Sequence, residues 1–179
     1  ADYQAYFAGA QFIHFLLGPA TVALAVPLYE NRRLVARSLL PMMAALLCGS
    51  AVACLSAVMV AQWLGASRSA LISIAPKSVT AGVAMSISEG LGGDPPLTAV
   101  LVILTGILGA IMVTPLMNAL GVRDFRARGF AVGLASHGIG TARAFQVDPV
   151  AGVFAGIAIG LNALMTALFV PKFVAWLTP

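Results

Sequence analysis

Hydrophobic residues fill most of this chain in long blocks, which short polar segments separate. An α-helix needs about 20 apolar residues to cross roughly 30 Å of hydrocarbon. Four blocks reach that length, at residues 3–29, 38–67, 95–122 and 149–171. Two more blocks, 68–93 and 126–147, are apolar but contain charges and helix-breaking residues. The pattern predicts an all-α polytopic membrane protein in which two helical segments are discontinuous.

The composition agrees with a membrane protein. Of the 179 residues, 60% are hydrophobic and 9% are charged, whereas an average soluble domain is about 45–50% apolar. We therefore predict one transmembrane domain over residues 1–179. The chain begins at Ala1 rather than at a methionine, so we expect an N-terminal portion to be missing. Cys48 and Cys54 lie on different faces of one apolar block, which favours packing roles over a disulfide.

Basic residues cluster in two short loops between the apolar blocks. These loops hold six of the ten basic residues, namely Arg32, Arg33 and Arg37, and Arg123, Arg126 and Arg128. By the positive-inside bias, both loops face the cytoplasm. The same clustering excludes nucleic acid as a partner, because these arginines flank spans and form no aromatic-interleaved basic face.

The first interrupted segment has a proline at its centre. Pro76 disfavours helical geometry at Ala75, and Ser78 is a favourable N-cap residue. We predict that one short helix ends near Ile74 and a second begins near Val79, with Lys77 in the join. Asp94-Pro95 then marks a turn into the next span.

The second interrupted segment places two ionisable residues inside a hydrophobic run. His137 and Arg143 are separated by Gly138 and Gly140, so we predict a broken helix that holds a cation at membrane depth. A further kink is predicted in the first span at Gly18-Pro19, one turn after His14.

The two interrupted segments share an order of features. In each, a break is followed by a Thr-Ala pair, at 80–81 or 141–142, then by Asp-Pro, at 94–95 or 148–149, and then by an apolar span. This order predicts internal repeats over about residues 67–118 and 126–178.

The basic loops constrain the membrane topology. Both can face the cytoplasm only if an even number of crossings separates them, and blocks 38–67 and 95–122 already supply two. The segment between them would then enter and leave from one side as two half-helices of about ten residues, roughly 15 Å each. The second interrupted segment would enter from the cytoplasmic side, which gives the inverted-repeat plan of secondary transporters. Alternatively, each interrupted segment crosses outright, which would place one basic loop outside.

Broken helices at membrane depth predict an anion site. Irregular backbone occurs there only where it is buried in protein or lines a water-filled cavity. Half-helices that begin near Val79 and Thr141 would direct free N–H groups and the positive end of the helix dipole toward an anion. Lys77 and Arg143 add positive charge, and Arg143 can bind a carboxylate through two parallel hydrogen bonds. The predicted ligand is a small organic anion.

Other groups at the breaks complete the predicted site. Hydroxyl groups that can contact a hydroxyl or keto oxygen beside the carboxylate belong to Ser78, Thr80, Ser136 and Thr141. The backbone from Gly138 to Gly140 lines the same site. His137 and Glu89 are the candidates for proton coupling, because histidine titrates near neutrality and desolvation moves a carboxyl group toward that range.

Structural roles for the same residues remain open. Lys77 and Arg143 would stabilise the hairpins if they paired with Glu89 and Asp148, and His137 would act as a hydrogen-bonding cap. Glu89 and Asp94 would then lie in the headgroup region. An enzyme is not predicted, since the chain lacks HExxH, GxSxG, a Cys/His ligand cluster and a complete dinucleotide fingerprint; no metal or cofactor is predicted either.

Several longer motifs closely resemble the LrgB/CidB family of bacterial membrane proteins. They are APKSVT at 75–80, ISE at 87–89, ASHGIGTARA at 135–144, FLLGPATVAL at 15–24, LTGILGA at 104–110 and GLNA at 160–163. Together they cover essentially the whole chain. The resemblance implies a multi-pass protein of the cell (inner) membrane whose relatives are longer by about two N-terminal spans.

The resemblance implies two descriptions of function. One is transport of small carboxylates, since a plastid relative carries glycolate and glycerate and bacterial relatives are linked to pyruvate. The other is holin- or antiholin-like control of murein hydrolase export and cell lysis, with a smaller LrgA/CidA-type membrane partner. We expect a secondary transporter of 2-hydroxy and 2-oxo monocarboxylates, with lysis control as a consequence. Glycines at 152, 156 and 160 form a ridge for close helix contact, and we expect a homo-oligomer.

Overall fold

The computed structural model describes residues 29–177, with side chains through residue 174. The predicted first span, its kink at Gly18-Pro19 and His14 lie outside the described residues. The described part is all-helical, without strands. Its helices are α1 (Arg32–Arg37), α2 (Leu39–Trp63), α3 (Arg68–Ile74), α4 (Ala81–Gly90), α5 (Pro95–Ala119), α6 (Phe125–Val147) and α7 (Pro149–Leu177).

The chain divides into two units, residues 1–37 and 38–179. The described part of the first unit contains α1, a six-residue helix. There the Arg32 guanidinium donates to the backbone oxygen of Tyr29 at 3.1 Å and lies 4.5 Å from the centroid of its ring. The other described helices, α2 to α7, belong to the second unit.

Three helices of the second unit are long and apolar enough to cross a membrane. They are α2, α5 and residues Pro149–Val174 of α7, with 25, 25 and 26 residues. Large apolar side chains on α2 and α5, such as Val52, Leu108 and Ile111, are exposed, which suits contact with lipid. This part of the fold therefore belongs in a bilayer.

One of these helices is longer than the sequence predicts. Helix α5 ends at Ala119, within the predicted block 95–122, but α7 continues past Pro171 to Leu177. Proline does not end a membrane helix when neighbouring groups satisfy the carbonyl that it frees.

Helices α3 and α4 are separated by residues 75–80, which are not helical. Ser67 caps the start of α3 by accepting a hydrogen bond from the Ala70 amide at 3.3 Å. The expected N-cap at Ser78 is wrong: Thr80 occupies the N-cap position of α4 and makes no side-chain capping bond. The turn after Pro76 includes Ser78 and Val79, since the Val79 amide donates to the Pro76 carbonyl, so the helix begins two residues later than expected.

Helix α6 changes direction at its centre. Ser136 and His137 have non-helical backbone angles, and φ of His137 is +42°. Val132 and Ala144 belong to one buried cluster, although about 18 Å would separate them on a continuous helix. The second half of α6 therefore folds back along the first. We call residues 125–135 the entering limb and residues 138–147 the returning limb.

Small residues allow α6 and α7 to pack closely. A Cβ at Gly129 would collide with the Ala151 backbone oxygen, and one at Gly133 with the Ala155 backbone oxygen. The predicted ridge on α7 contributes only in part, because Gly152 packs against Phe145 whereas positions 156 and 160 have no neighbour within 4 Å in the described structure. The close contact is thus made mainly by glycines of α6.

Candidate functional site

One asparagine on α7 joins the two breaks. Asn162 is 1% exposed, and its Nδ2 donates to the Ser78 carbonyl at 3.3 Å and to the Leu134 carbonyl at 3.0 Å. In a continuous α-helix the Leu134 carbonyl would accept from the amide four residues later, and the kink in α6 removes that partner. A single side chain therefore satisfies a carbonyl at each break.

The same asparagine also binds α2. Its Oδ1 accepts a hydrogen bond from Ser50 Oγ at 2.6 Å and a longer one from Thr166 Oγ1 at 3.4 Å. Both donors are buried. Buried polar groups are nearly always paired, and here the pairing fixes the middle of α2, α7 and both breaks to one another.

Helix α5 supports the two breaks from another side. The His137 ring donates from Nε2 to the Val102 carbonyl at 2.9 Å, and the Val102 side chain packs with Val79 and Ala84 from the first break and α4. Gly106 leaves room for the His137 ring, because a Cβ there would lie 2.6 Å from its Cε1. The breaks are therefore neighbours, held between α5 and α7.

Lys77 lies at the first break and has no carboxylate partner among the residues that the structure describes. It is half-buried, and its Nζ donates to Ser78 Oγ at 3.4 Å. Within the described residues it forms no ion pair with Glu89, which is exposed at the end of α4. A positive charge is thus available where the two breaks meet.

The predicted hydroxyl and glycine residues fall into different environments. Thr80 is half-buried at the N-terminus of α4. Thr141 is buried, and its Oγ1 donates to the His137 carbonyl at 3.0 Å. Gly140 packs closely on Val132 and Ser136, whereas Gly138 has open space around it. The structure therefore places Gly138 and Thr80 with accessible surface, while Thr141 and Gly140 support the returning limb.

The two glycines do not account for the unusual backbone of the kink. The positive φ falls on His137, in a region that L-residues rarely adopt. Such a conformation costs on the order of 1–3 kcal/mol and persists when surrounding contacts enforce it. The bond to Val102 and the close packing of Ser136 on Gly109 are contacts of that kind.

Arg143 lies apart from Lys77. It is exposed on the returning limb, and its Nη1 donates to Gln146 Oε1 at 3.3 Å. Asp148, its expected alternative partner, instead caps α7 by accepting from the amides of Val150 and Ala151 at 2.8 and 3.1 Å. The cleft that Arg143 lines with Val113 and Phe125 does not include Lys77. Their roles in binding stay predictions.

Sequence reasoning missed the polar groups that hold this region together. Asn162 lies in the apolar run of α7, and a polar residue inside a span is itself a signal for function or for interhelical bonding. Buried hydroxyl groups also join α3 and α4 to the start of α5. Thr98 Oγ1 donates to Ser88 Oγ of α4 at 2.8 Å, and the Asp94 amide donates to Ser73 Oγ of α3 at 2.8 Å. Single serines in an apolar segment do not indicate such contacts from sequence.

The loop before α6 carries an ion pair. Asp124 caps the helix by accepting from the Arg126 amide at 2.9 Å, and the two side chains approach to 2.6 Å. Chiefly through the hydrogen bond from the Arg126 side chain, this pairing lowers the pKa of the Asp124 carboxyl group. Elsewhere among the described residues, no cluster of three His, Cys, Asp or Glu side chains is arranged to bind a metal ion.

Comparison with known sequences identifies the family. The LrgB-like family matches residues 1–176. The chain belongs to the LrgB-like family. This LrgB-like chain is 35% identical over 176 residues to the uncharacterized protein YxaC of Bacillus subtilis, which covers 98% of the chain and 76% of YxaC.

Relatives of this LrgB-like protein include proteins with a functional name. It is 30% identical over 173 residues to the holin-like protein CidB of Staphylococcus epidermidis, covering 97% of the chain and 76% of CidB. It has the same identity and coverage with CidB of Staphylococcus aureus. No solved structure matches the fold. Family and helices together make this a membrane protein of the LrgB/CidB type.

Proposed function

We propose that this protein is a secondary transporter of small 2-hydroxy and 2-oxo monocarboxylates, such as glycolate, glycerate and pyruvate. The observation that carries the proposal is Lys77: its half-buried ammonium group, which has no carboxylate partner within residues 29–174, lies where two helix breaks are joined by Asn162 and Val102. An uncompensated cation at an irregular backbone segment favours an anionic ligand.

Backbone amides at the first break add to this preference. Thr80 offers no side-chain cap to α4, so the first amides of the helix remain available as donors. The N-terminus of a helix favours an anion through these donors and through its dipole. Lys77, Ser78 and Thr80 would bind the carboxylate and its neighbouring oxygen.

The paths of the two broken segments support an inverted-repeat transporter. The segment formed by residues 75–80 and α4 leaves α3 and returns beside it, because Gly93 lies against Ser88 and Ile72. The limbs of α6 return to the end from which they start, because Phe125 and Val147 line one cleft. Since α5 connects the two hairpins, they enter from opposite sides, as in transporters with a midplane site.

Proton coupling would use His137 rather than Glu89. His137 is buried and bonded to Val102 at the meeting point of the breaks, whereas Glu89 is exposed at the distal end of α4. Histidine is also the side chain that titrates near neutrality. We further propose an inner-membrane, multi-pass location with the 123–128 loop in the cytoplasm, a homo-oligomer and an LrgA/CidA-type partner.

The experiment is uptake of labelled glycolate, glycerate and pyruvate by the full chain in proteoliposomes, with and without a pH gradient. Lys77→Gln should abolish saturable uptake, because it removes the charge that binds the carboxylate. Lys172→Gln is the matched control, since Lys172 is exposed near the end of α7 and its loss should leave uptake unchanged.

A second candidate is a holin-like membrane component without a substrate, and the name of the CidB relatives favours it. The same vesicles separate the two. Release of a trapped inert dye, together with no saturable uptake of any of the three acids, would reject the carrier and support the holin-like function.

A further inference from the structure

A small cavity lies between α2, the first break and α7. Four buried polar residues line it, namely Ser50 of α2, Ser78 of the first break, and Asn162 and Thr166 of α7. Apolar side chains such as Phe169 form the rest of its wall. The space inside suits one water molecule and nothing much larger. Cavities that stay dry in proteins have apolar walls, and this one does not.

The hydroxyl groups at this cavity can form more hydrogen bonds than the described contacts use. Ser78 Oγ accepts from Lys77 Nζ at 3.4 Å, but the Ser78 hydroxyl hydrogen has no acceptor among the residues that the structure describes. Thr166 Oγ1 donates to Asn162 Oδ1 at 3.4 Å, a long bond to an oxygen that already accepts from Ser50 Oγ at 2.6 Å. Since buried polar groups are nearly always paired, both hydroxyl groups favour a further partner in the cavity.

The size and charge of the surroundings favour a neutral partner. The cavity is too small for a carboxylate, and no charged side chain is among its described lining residues. The ammonium group of Lys77 contacts Ser78 Oγ, so a cation beside Ser78 would be repelled. A water molecule donates and accepts hydrogen bonds without charge, which matches a wall of hydroxyl and amide groups.

We propose that one water molecule binds in this cavity and bridges the first break to α2 and α7. The water accepts hydrogen bonds from the hydroxyl groups of Ser78 and Thr166, and it donates to Ser50 Oγ and Asn162 Oδ1. Buried waters in proteins typically make about three such bonds. The inference goes beyond the transport function and does not depend on it.

The water adds a second connection to the one that Asn162 makes directly. It completes a hydrogen-bonded path from Lys77 through Ser78 to the polar groups of α2 and α7. A water-mediated bond is nearly as favourable in enthalpy as a direct one. Because the water can reorient between its partners, the first break can shift slightly against α2 and α7 without leaving a buried hydroxyl group unpaired.

The first test is a crystal structure of the full chain in a lipidic phase, at a resolution that shows ordered waters. One isolated density peak should lie within hydrogen-bond distance of both Ser78 Oγ and Thr166 Oγ1. Clear density for the surrounding side chains without such a peak would overturn the proposal. A peak with the crowded oxygen coordination of a metal ion would overturn it as well.

The second test is a double-mutant cycle between Ser78→Ala and Thr166→Val, measured by denaturation in mixed micelles. The two hydroxyl groups do not bond to each other in the described structure, so a dry cavity predicts additive losses. A shared water predicts that the two losses overlap. The unfolding equilibrium constant of the double variant should then differ from the additive value by about two- to tenfold, as expected for one hydrogen bond.

A control cycle pairs Ser78→Ala with Thr105→Val. Thr105 Oγ1 donates to the Leu101 carbonyl of its own helix at 2.7 Å, and Thr105 does not line the cavity. This pair should be additive. Additivity in the Thr166 cycle too would reject the bridging water, whereas the uptake of organic acids in vesicles has no bearing on it.

Discussion

The two breaks lie next to each other, but the chain leaves helical geometry in a different way at each. The first is a six-residue stretch, 75–80, in which proline prevents helix and turns replace it. The second is a two-residue kink at Ser136 and His137 within a single assigned helix. One break is therefore specified by local sequence, whereas the other depends on a backbone conformation that its neighbours must enforce.

The difference extends to their polar groups. Lys77 at the first break has only a hydroxyl contact, at 3.4 Å, among the described residues. His137 at the second break is bonded to Val102 and packed on Gly106. The first break thus carries a cation with one described hydroxyl contact, and the second carries a side chain that joins α6 to α5.

The largest expected effect comes from removing the residue that the two breaks share. Asn162→Leu should destabilise the protein by about 2–5 kcal/mol, because it leaves the Ser78 and Leu134 carbonyls and the Ser50 hydroxyl unpaired. The measurement is denaturation in mixed detergent micelles. Thr166→Val, which removes only the 3.4 Å bond to the same side chain, is the control with a much smaller loss. Similar losses in both variants would show that Asn162 does not hold the breaks.

The next effect tests whether the second break depends on close packing against α5. Gly109→Ala should destabilise by about 1–3 kcal/mol, the usual cost of overpacking, because the new methyl group would overlap Ser136 Oγ. Gly156→Ala on α7 has open space and should be neutral or stabilising by up to about 1 kcal/mol through helix propensity. The same denaturation assay checks both, and equal behaviour of the two alanines would contradict the packing argument.

The smallest effect concerns the backbone of the kink itself. His137→Ala and His137→Gly both lose the bond to Val102, but glycine tolerates φ of +42° without strain. The glycine variant should therefore be more stable than the alanine variant by about 1 kcal/mol, the reverse of the order in an ordinary helix. Paired thermal melts of the two variants measure this difference. If the alanine variant were the more stable one, the backbone at position 137 would not be strained.

Much of the architecture follows from patterns that the sequence displays directly. Long apolar blocks predicted the membrane-crossing helices, and Asp94 and Asp148 cap α5 and α7. The end of α7 beyond Pro171 did not follow, because tolerance of proline depends on tertiary neighbours. The start of α4 at Ala81 also differed, since the turn after Pro76 extends through Ser78.

The sequence predicted the candidate site less completely than it predicted the helices. Lys77 and His137 stood out as ionisable residues in apolar surroundings, but their distance from Arg143 depends on how α6 folds back. Asn162 was visible only as part of a motif, and its contacts with three other segments are set by the fold.

The bonds of Asn162 also have a thermodynamic consequence. Because one amide group donates to a carbonyl at each break, the conformational equilibria of the two hairpins are linked. Linkage is reciprocal: if a ligand at one break changes the free energy of that link, a change at the other break alters the affinity for the ligand by the same factor. A ligand bound beside Lys77 would in this way change the conformational equilibrium of the backbone around His137, some sixty residues further along the chain, through the bonds of Asn162.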